Sequence, residues 1–218
     1  MIIAAGFGTS MRPLTDDRPK ALIEVAGKSL LSHALDPAWQ AGLAPLCVNA
    51  HYKAEAIEAA LAGSDVQVLV ERPEILDTGG GLKAALPHLP GEAVFTMNSD
   101  AVWAGPNPFE ALRAAWNPDA MGALLLCVPM ARAEGRSDAG DFMIAGAQII
   151  RGPGFVYTGA QIISAAAVAA HPERVFSFNT LWDAMNTEGR LAAAIFPLRW
   201  CDVGRPDSIP VAEAMAGV

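Results

Sequence analysis

Apolar positions in this chain gather into short buried runs that alternate with stretches of helical spacing. The run MIIAA predicts a strand over 1–5, followed by a glycine-rich turn over 6–9. A helix is expected over 29–41, with Ser29 or Ser32 as N-cap and Gly42 near its C-terminal end. A strand over 45–49, a helix over 54–61 and a strand over 66–70 come next. A helical pattern over 78–85 opens with three glycines and stops before Pro87; the apolar strand over 93–97 ends at Asn98, Ser99 and Asp100. Residues 109–115 read as helix and 120–128 as strand. This alternation predicts an α/β fold, a Rossmann-like, mostly parallel mixed sheet sandwiched by helices. Beyond Pro129 the pattern changes. Short strands are expected over 141–145, 147–151 and 156–162, a helix over 180–187, an apolar segment over 191–197 and a last helix over 208–216. This second part adds a smaller mixed subregion to the same sheet.

Length keeps this to one domain: 218 residues fill one core and fall short of what usually signals two. No apolar run reaches membrane-spanning length and the start lacks a basic leader, so neither a membrane span nor a signal peptide is expected. Cys47, Cys127 and Cys201 are far apart and odd in number, which supports neither a disulfide framework nor a zinc site and fits a reducing, cytoplasmic setting. The formal net charge of -8 opposes binding to nucleic acid or anionic lipid. An anionic small substrate therefore needs local cations, and a metal. Nothing in the sequence sets the oligomeric state, and a monomer is compatible with it.

Local cations are found directly after the first turn. Ala4, Ala5, Gly6, Gly8 and Thr9 leave the backbone open to close approach, so their N–H groups can face phosphate oxygens. Alone, a Gly-x-Gly is an ordinary tight turn. A dinucleotide fingerprint would need a small residue in place of Met11, and a phosphate loop ending at Gly27-Lys28-Ser29 would need glycine in place of Leu22. Arg12, Arg18 and Lys20 then follow within nine residues, in a chain with 15 Lys and Arg in all. Arg18 reads as solvated; Arg12 and Lys20, fixed by Pro13 and Pro19, suit an anion.

The segment AAGFGTSMRPLTDDRPKALIEVAGKSLL resembles the signature of the nucleoside-diphosphate-sugar pyrophosphorylases, (L/A)-A-G-x-G-T-R-(L/M)-x-P-L-T followed by P-K-P-L. The resemblance implies a nucleotidyltransferase in which the glycine loop embraces a triphosphate and Lys20 binds sugar or nucleotide phosphate; Arg12, from its own place after the loop, is read as a second catalytic cation that partly substitutes for an arginine the family carries. The family's arginine after Gly-x-Gly-Thr, which helps neutralise the leaving pyrophosphate, is Ser10 here, and Ala21 replaces a proline. On the same resemblance, residues 1–128 form the nucleotide half and 129–218 the sugar half.

Asp100 in MNSDAVW and Asp202 in RWCDVG end apolar strands, where open α/β sheets face their ligand crevice. Either acid alone reads as a strand-end cap. The family's (N/G)-x-D and W-x-D-V-G motifs make both magnesium ligands, with Asp100 also near the nucleotide. His33, His51, His88 and His171 are scattered without metal-ligand spacing. Leu76-Asp77-Thr78-Gly79-Gly80-Gly81 precedes a helix, and exposed N–H groups there would let a base or ribose pack on backbone. It resembles the E-T-G-G-G segment of uridylyltransferases acting on N-acetylmuramate 1-phosphate, which implies that Thr78, Gly79, Gly80 and the nearby Glu71 bind nucleotide. Gly140-Asp141-Phe142 and Tyr157-Thr158-Gly159-Ala160-Gln161 resemble the family segments around the sugar, which makes Asp141, Gly159 and Gln161 sugar contacts.

The implied activity is transfer of a nucleoside monophosphate from an NTP, UTP by preference, to a sugar 1-phosphate with Mg2+ as cofactor. A mannose 1-phosphate guanylyltransferase is the alternative enzyme. Ser10 motivates an alternative of another class, a nucleotide- or sugar-phosphate-binding protein with impaired catalysis.

Overall fold

The computed structural model describes residues 1–146, 148–197 and 199–217. In chain order the elements are β1 (Ile2–Ile3), β2 (Glu24–Val25), β3 (Lys28–Ser29), α1 (Leu30–Gln40), β4 (Leu46–Ala50), α2 (Ala54–Ala60), β5 (Val66–Val70), α3 (Asp77–Ala85), β6 (Ala93–Asn98), β7 (Ala101–Ala104), α4 (Pro108–Ala115), β8 (Ala123–Pro129), β9 (Ala133–Glu134), β10 (Phe142–Ala145), β11 (Gln148–Arg151), β12 (Phe155–Ser164), α5 (Ala165–Ala170), α6 (Phe178–Thr187), β13 (Leu191–Ile195), β14 (Arg199–Asp202) and α7 (Ile209–Ala216).

The main sheet runs β5-β4-β1-β6-β12-β8-β13, and the β10–β11 hairpin joins it beside the start of β12. All of its neighbours along that path pair in parallel except those made by β12, which runs antiparallel to both β6 and β8. Strands from both halves of the sequence thus share one sheet. Its faces are covered separately. Alternate residues of β8 show how: Leu124, Leu126 and Val128 join the core under α1, α2 and α4, whereas Ala123, Leu125 and Cys127 join the core under α3 and α6. Burial on both sides explains why β8 reads as an unbroken apolar run rather than an alternating one.

Local chemistry sets the element ends. Ser29 caps α1 by accepting from the Ser32 N–H at 3.1 Å, and Asn107 caps α4 by accepting from Phe109 N–H at 2.9 Å. Ser32 is therefore inside the helix. The expected strand over 147–151 is described from Gln148, Ala147 lying outside the described residues. Several elements were not expected: the short strands β2, β3, β7 and β9, of which β7 pairs with β14, and α5, which forms from an alanine run directly after β12. β7, β14 and β9 make a separate three-stranded sheet backed by a third apolar cluster of Met11, Val25, Leu30, Val102, Cys201, Val203 and Ala212. Among the described residues no helix is long and apolar enough to cross a membrane.

Candidate active site

Parallel strands deliver their carboxyl ends to one edge of the sheet. β1 ends into Ala4, β4 into His51, and β6 into Ser99 and Asp100; β12, being antiparallel, contributes its first half. Ala4 donates its N–H to Asn49 Oδ1 at 2.8 Å, which fixes the chain as it leaves β1. Gly8 then adopts a left-handed conformation at φ 64°, and a Cβ there would come within 3.0 Å of both Lys20 and Thr15 side-chain carbons. Glycine is therefore required at position 8. Thr15 Oγ1 donates to Gly8 O at 2.8 Å and closes the loop. Gly6 is open, with nothing near the place of a Cβ.

The loop returns through Pro19 to Lys20, the first residue of a single 3-10 turn whose next residue, Ala21, is buried in the core. This anchors the Lys20 stem. Its ammonium donates to Asp100 Oδ2 at 2.8 Å, with the lysine side chain only 17% exposed. Asp202 approaches the same place from the distant end of the sequence. β14 pairs with β7 so that Asp202 lies opposite Ala101, and Val203 donates its N–H to Asp100 O at 2.8 Å. Burial, and then the negative charge of Asp100, push the Asp202 carboxyl up to about 6, against the lowering pull of Lys20 and Arg136. Gly135, at φ 75°, passes so close to the Asp202 carbonyl that a Cβ would overlap it.

Two adjoining cavities occupy the cleft. A smaller one of about 160 Å³ is lined by Ala4, Gly6, Lys20, Ser99 and Asp100; a larger one of about 310 Å³ is lined by Arg136, Asp141, Phe142, Tyr157 and Trp182. Thr78 and Asn98 border both, so the two are continuous. One cavity is framed by backbone and a cation, the other by aromatic rings and polar groups. Such a pair suits a ligand with a phosphate end and a ring end.

Several expected contacts sit elsewhere. The N–H groups of Gly79 and Gly80 were expected to be exposed; both instead donate to Phe176 O, at 2.9 and 3.0 Å. Their lack of side chains has a packing cause. A Cβ on Gly79 would lie 2.4 Å from the Phe176 ring, and one on Gly80 2.3 Å from Arg174 O. We therefore expect Gly80→Ala to destabilise the fold by about 1–3 kcal/mol through overpacking against rigid backbone, measurable by urea denaturation; an unchanged midpoint would contradict this account. Glu71 is corrected from pocket wall to brace: it is buried, with Oε1 accepting from Asn49 Nδ2 and Oε2 from the Leu76 N–H, each at 2.7 Å. Gln161 is also fully buried, its Oε1 accepting from Trp182 Nε1 at 2.9 Å, so it supports the cavity wall from behind. Gly159, at φ 87°, packs on Asn98, where a Cβ would lie 2.8 Å from the asparagine Cβ. Arg12 and Thr9 are exposed, and Arg12 pairs with Asp16 at 3.5 Å rather than with the Lys20–Asp100 pair. Ala5 is buried beneath the loop.

Asp141 does border the larger cavity. Its Oδ1 accepts from Arg136 Nη2 at 3.0 Å and its Oδ2 from the Tyr157 N–H at 2.9 Å. Arg136 was not anticipated. It reaches Asp138 and Asp141, acts electrostatically on Asp202, and holds a buried Nε with no hydrogen-bond partner among the described residues. The available signal was a cation between two glycines, 135 and 140, in an acidic chain.

Residues 1–152 match the MobA-like NTP transferase domain. The chain is 37% identical to N-acetylmuramate alpha-1-phosphate uridylyltransferase of Caulobacter vibrioides, over 98% of this chain and 95% of that protein. It is 39% identical to the enzyme of the same name from Neisseria meningitidis over 47% of this chain and 46% of that one. Among solved structures, HddC from Yersinia pseudotuberculosis, complexed with GMP-PN, superposes with a TM-score of 0.75 at 20% identity, covering 98% of this chain and 96% of that chain. The inositol-1-phosphate CTP transferase of T. maritima superposes with a TM-score of 0.78 at 18% identity, covering 99% of this chain and 93% of the other. With the family's domain matched over more than half of this chain and a relative aligned almost end to end, this chain belongs to the MobA-like NTP transferases and is a nucleotidyltransferase.

Proposed function

We propose that the chain transfers UMP from UTP to N-acetylmuramate 1-phosphate and releases pyrophosphate. The observation that carries the reaction class is the Lys20 ammonium on Asp100, beside Asp202, at the phosphate-side cavity that adjoins the ring-side one through Thr78 and Asn98. The choice of uracil and of this sugar comes from the bacterial relatives and from the Asp77-Thr78-Gly79-Gly80-Gly81 segment.

In this reading the triphosphate lies against residues 4–9 and the sugar fills the aromatic cavity. An oxygen of the sugar 1-phosphate attacks the α-phosphorus in line; the bond from that phosphorus to the oxygen bridging to the β-phosphate breaks, and pyrophosphate leaves with the electron pair. Lys20 neutralises phosphate charge and Arg136 steadies the sugar 1-phosphate. No covalent intermediate on the protein is needed, so the chain acts by positioning and electrostatics. Arg12 serves the outer phosphates by leaving Asp16, an exposed partner of low cost.

The residues fit Mg2+. Asp100 and Asp202 are hard oxygen donors close enough for one to raise the other's pKa, a repulsion that a divalent cation relieves. Two carboxylates suffice because phosphate oxygens and water complete an octahedral shell. When bound there, magnesium supplies charge neutralisation on the transferred phosphoryl group.

A panel of UTP, GTP, CTP and dTTP against N-acetylmuramate, N-acetylglucosamine, glucose and mannose 1-phosphates, followed by pyrophosphate release, tests the proposal. UTP with N-acetylmuramate 1-phosphate should be fastest. A faster GTP and mannose 1-phosphate pair would move the assignment to a guanylyltransferase, and release from no pair would end the reading. Ser10 is exposed on the phosphate-side turn where the family carries arginine. Ser10→Arg should raise turnover about tenfold by adding one preorganised cation near the leaving group; a fall would show that this loop has adapted to serine.

A further inference from the structure

The larger cavity contains a second arginine that phosphate chemistry does not require. Arg151 ends β11, opposite Phe142 of β10. Its guanidinium lies 4.9 Å from the Phe142 ring centroid and 5.8 Å from that of Trp182, so both faces of the cavity's aromatic wall contribute to holding it. Nη2 donates to Asn179 Oδ1 at 2.8 Å and to Asp183 Oδ1 at 3.0 Å. These contacts pin one nitrogen and orient the plane. Among the described residues Nε and Nη1 make no hydrogen bond, and the side chain is 45% exposed.

Position separates Arg151 from the reacting phosphates. It borders the ring-side cavity and not the one formed by Lys20, Ser99 and Asp100. Arg136, the other arginine of this cavity, is committed to Asp138 and Asp141 and is near enough to Asp202 to affect its pKa. Asp141, Asn98 and Thr78 border the same cavity and offer polar groups for the hydroxyls of a neutral sugar. A stacked guanidinium with free donors matches a planar carboxylate, which it can meet with two parallel hydrogen bonds. In a chain of net charge -8, a cation that lines the ring-side cavity and not the phosphate-side one suits a localised negative charge on the ring end of a substrate.

We infer that Arg151 recognises a carboxylate carried by the sugar itself, which makes it a specificity residue for acidic over neutral sugar 1-phosphates. The inference rests on the proposed function and names the substrate class of the same site.

Two substrates that differ only in such a group make the test. N-acetylmuramate 1-phosphate is N-acetylglucosamine 1-phosphate with a lactyl ether, and the lactyl group ends in a carboxylate. With UTP and Mg2+, Arg151→Gln in the full chain should raise KM for the acidic sugar about 10- to 100-fold, the loss expected of a charge-assisted pair, and leave kcat nearly unchanged. KM for the neutral sugar should stay within about twofold. Arg151→Lys, which keeps charge but not the fork, should recover part of the loss, and thermal melting of both variants shows whether they fold. Equal losses on both sugars would overturn the inference, as would a loss on neither. If the unaltered protein turns over the neutral sugar but not the acidic one, the inference fails while the transferase reading stands; if it uses no sugar 1-phosphate at all, both fail.

Discussion

Lys20→Ala should reduce turnover by about two to three powers of ten while leaving the fold intact. The expected size follows from where the charge sits. The ammonium is mostly screened from solvent, anchored by a turn whose next residue is in the core, and aimed at the carboxylate that closes the phosphate-side cavity. A flexible surface lysine would be replaced by solvent at little cost, whereas a preorganised one in a half-buried cleft is not. Pyrophosphate release at saturating substrates is the measurement, with circular dichroism as the control for folding. Loss confined to KM, with normal kcat, would mean that Lys20 binds the ground state and the transition state alike. Near-normal turnover would remove it from the chemistry.

Asp202→Asn should lower activity by a similar factor of about 10² to 10³ and, at the same time, make the metal-free protein more stable. The second effect has a definite sign. The folded state holds the Asp202 proton more tightly than the unfolded chain, at about 6 against an ordinary 3.8. Its contribution to stability is therefore fully present below about pH 3.8 and lost as pH rises through about 6. At pH 8 the charged carboxylate opposes folding by an upper bound of about 3 kcal/mol, and asparagine abolishes that cost. Thermal midpoints of the two proteins without divalent ions should differ at pH 8 and converge near pH 4. Added Mg2+ should then raise the midpoint of the unaltered protein and barely move the variant. A variant less stable than its parent at pH 8 would show that Asp202 is satisfied without a cation.

Much of the scaffold was readable along the chain because its signals are local. Ser29 marks the start of α1, Val66–Val70 matches its expected strand, and the apolar run before Asp100 ends where β6 ends. Three kinds of information were not local. β7 and β14 are short, and they pair with each other across about a hundred residues of sequence, with β9 on the far side of β14. The six residues of α5 are five alanines and a valine, which carry no helical stripe, so only Ser164 capping the Ala167 N–H distinguishes them from an extension of β12. The triple glycine was legible as a motif and misleading as a surface, because a missing side chain looks the same whether ligand or protein fills the space; Phe176, Arg174 and Glu71 fill it here. Asp100, Asp202 and Lys20 could be singled out by resemblance, but their convergence needed the β7–β14 ladder. Arg136 had only a weak signal, a cation between two glycines in an acidic chain, and Arg151, at the end of a four-residue strand, had no pattern to betray it.

That ladder also carries its own safeguard. Along β14 the side chains alternate: Trp200 packs into one apolar cluster, while Cys201 and Val203 pack into another. A slip by a single residue would turn the carboxylate of Asp202 toward Met11, Val25 and Ala212 and swing a thiol out to meet Asp100. Burying an unpaired negative charge among those groups is prohibitive. A chain mis-threaded by one residue is disfavoured, so the acid beside the active cleft also helps to fix the register of the last strand in the sequence.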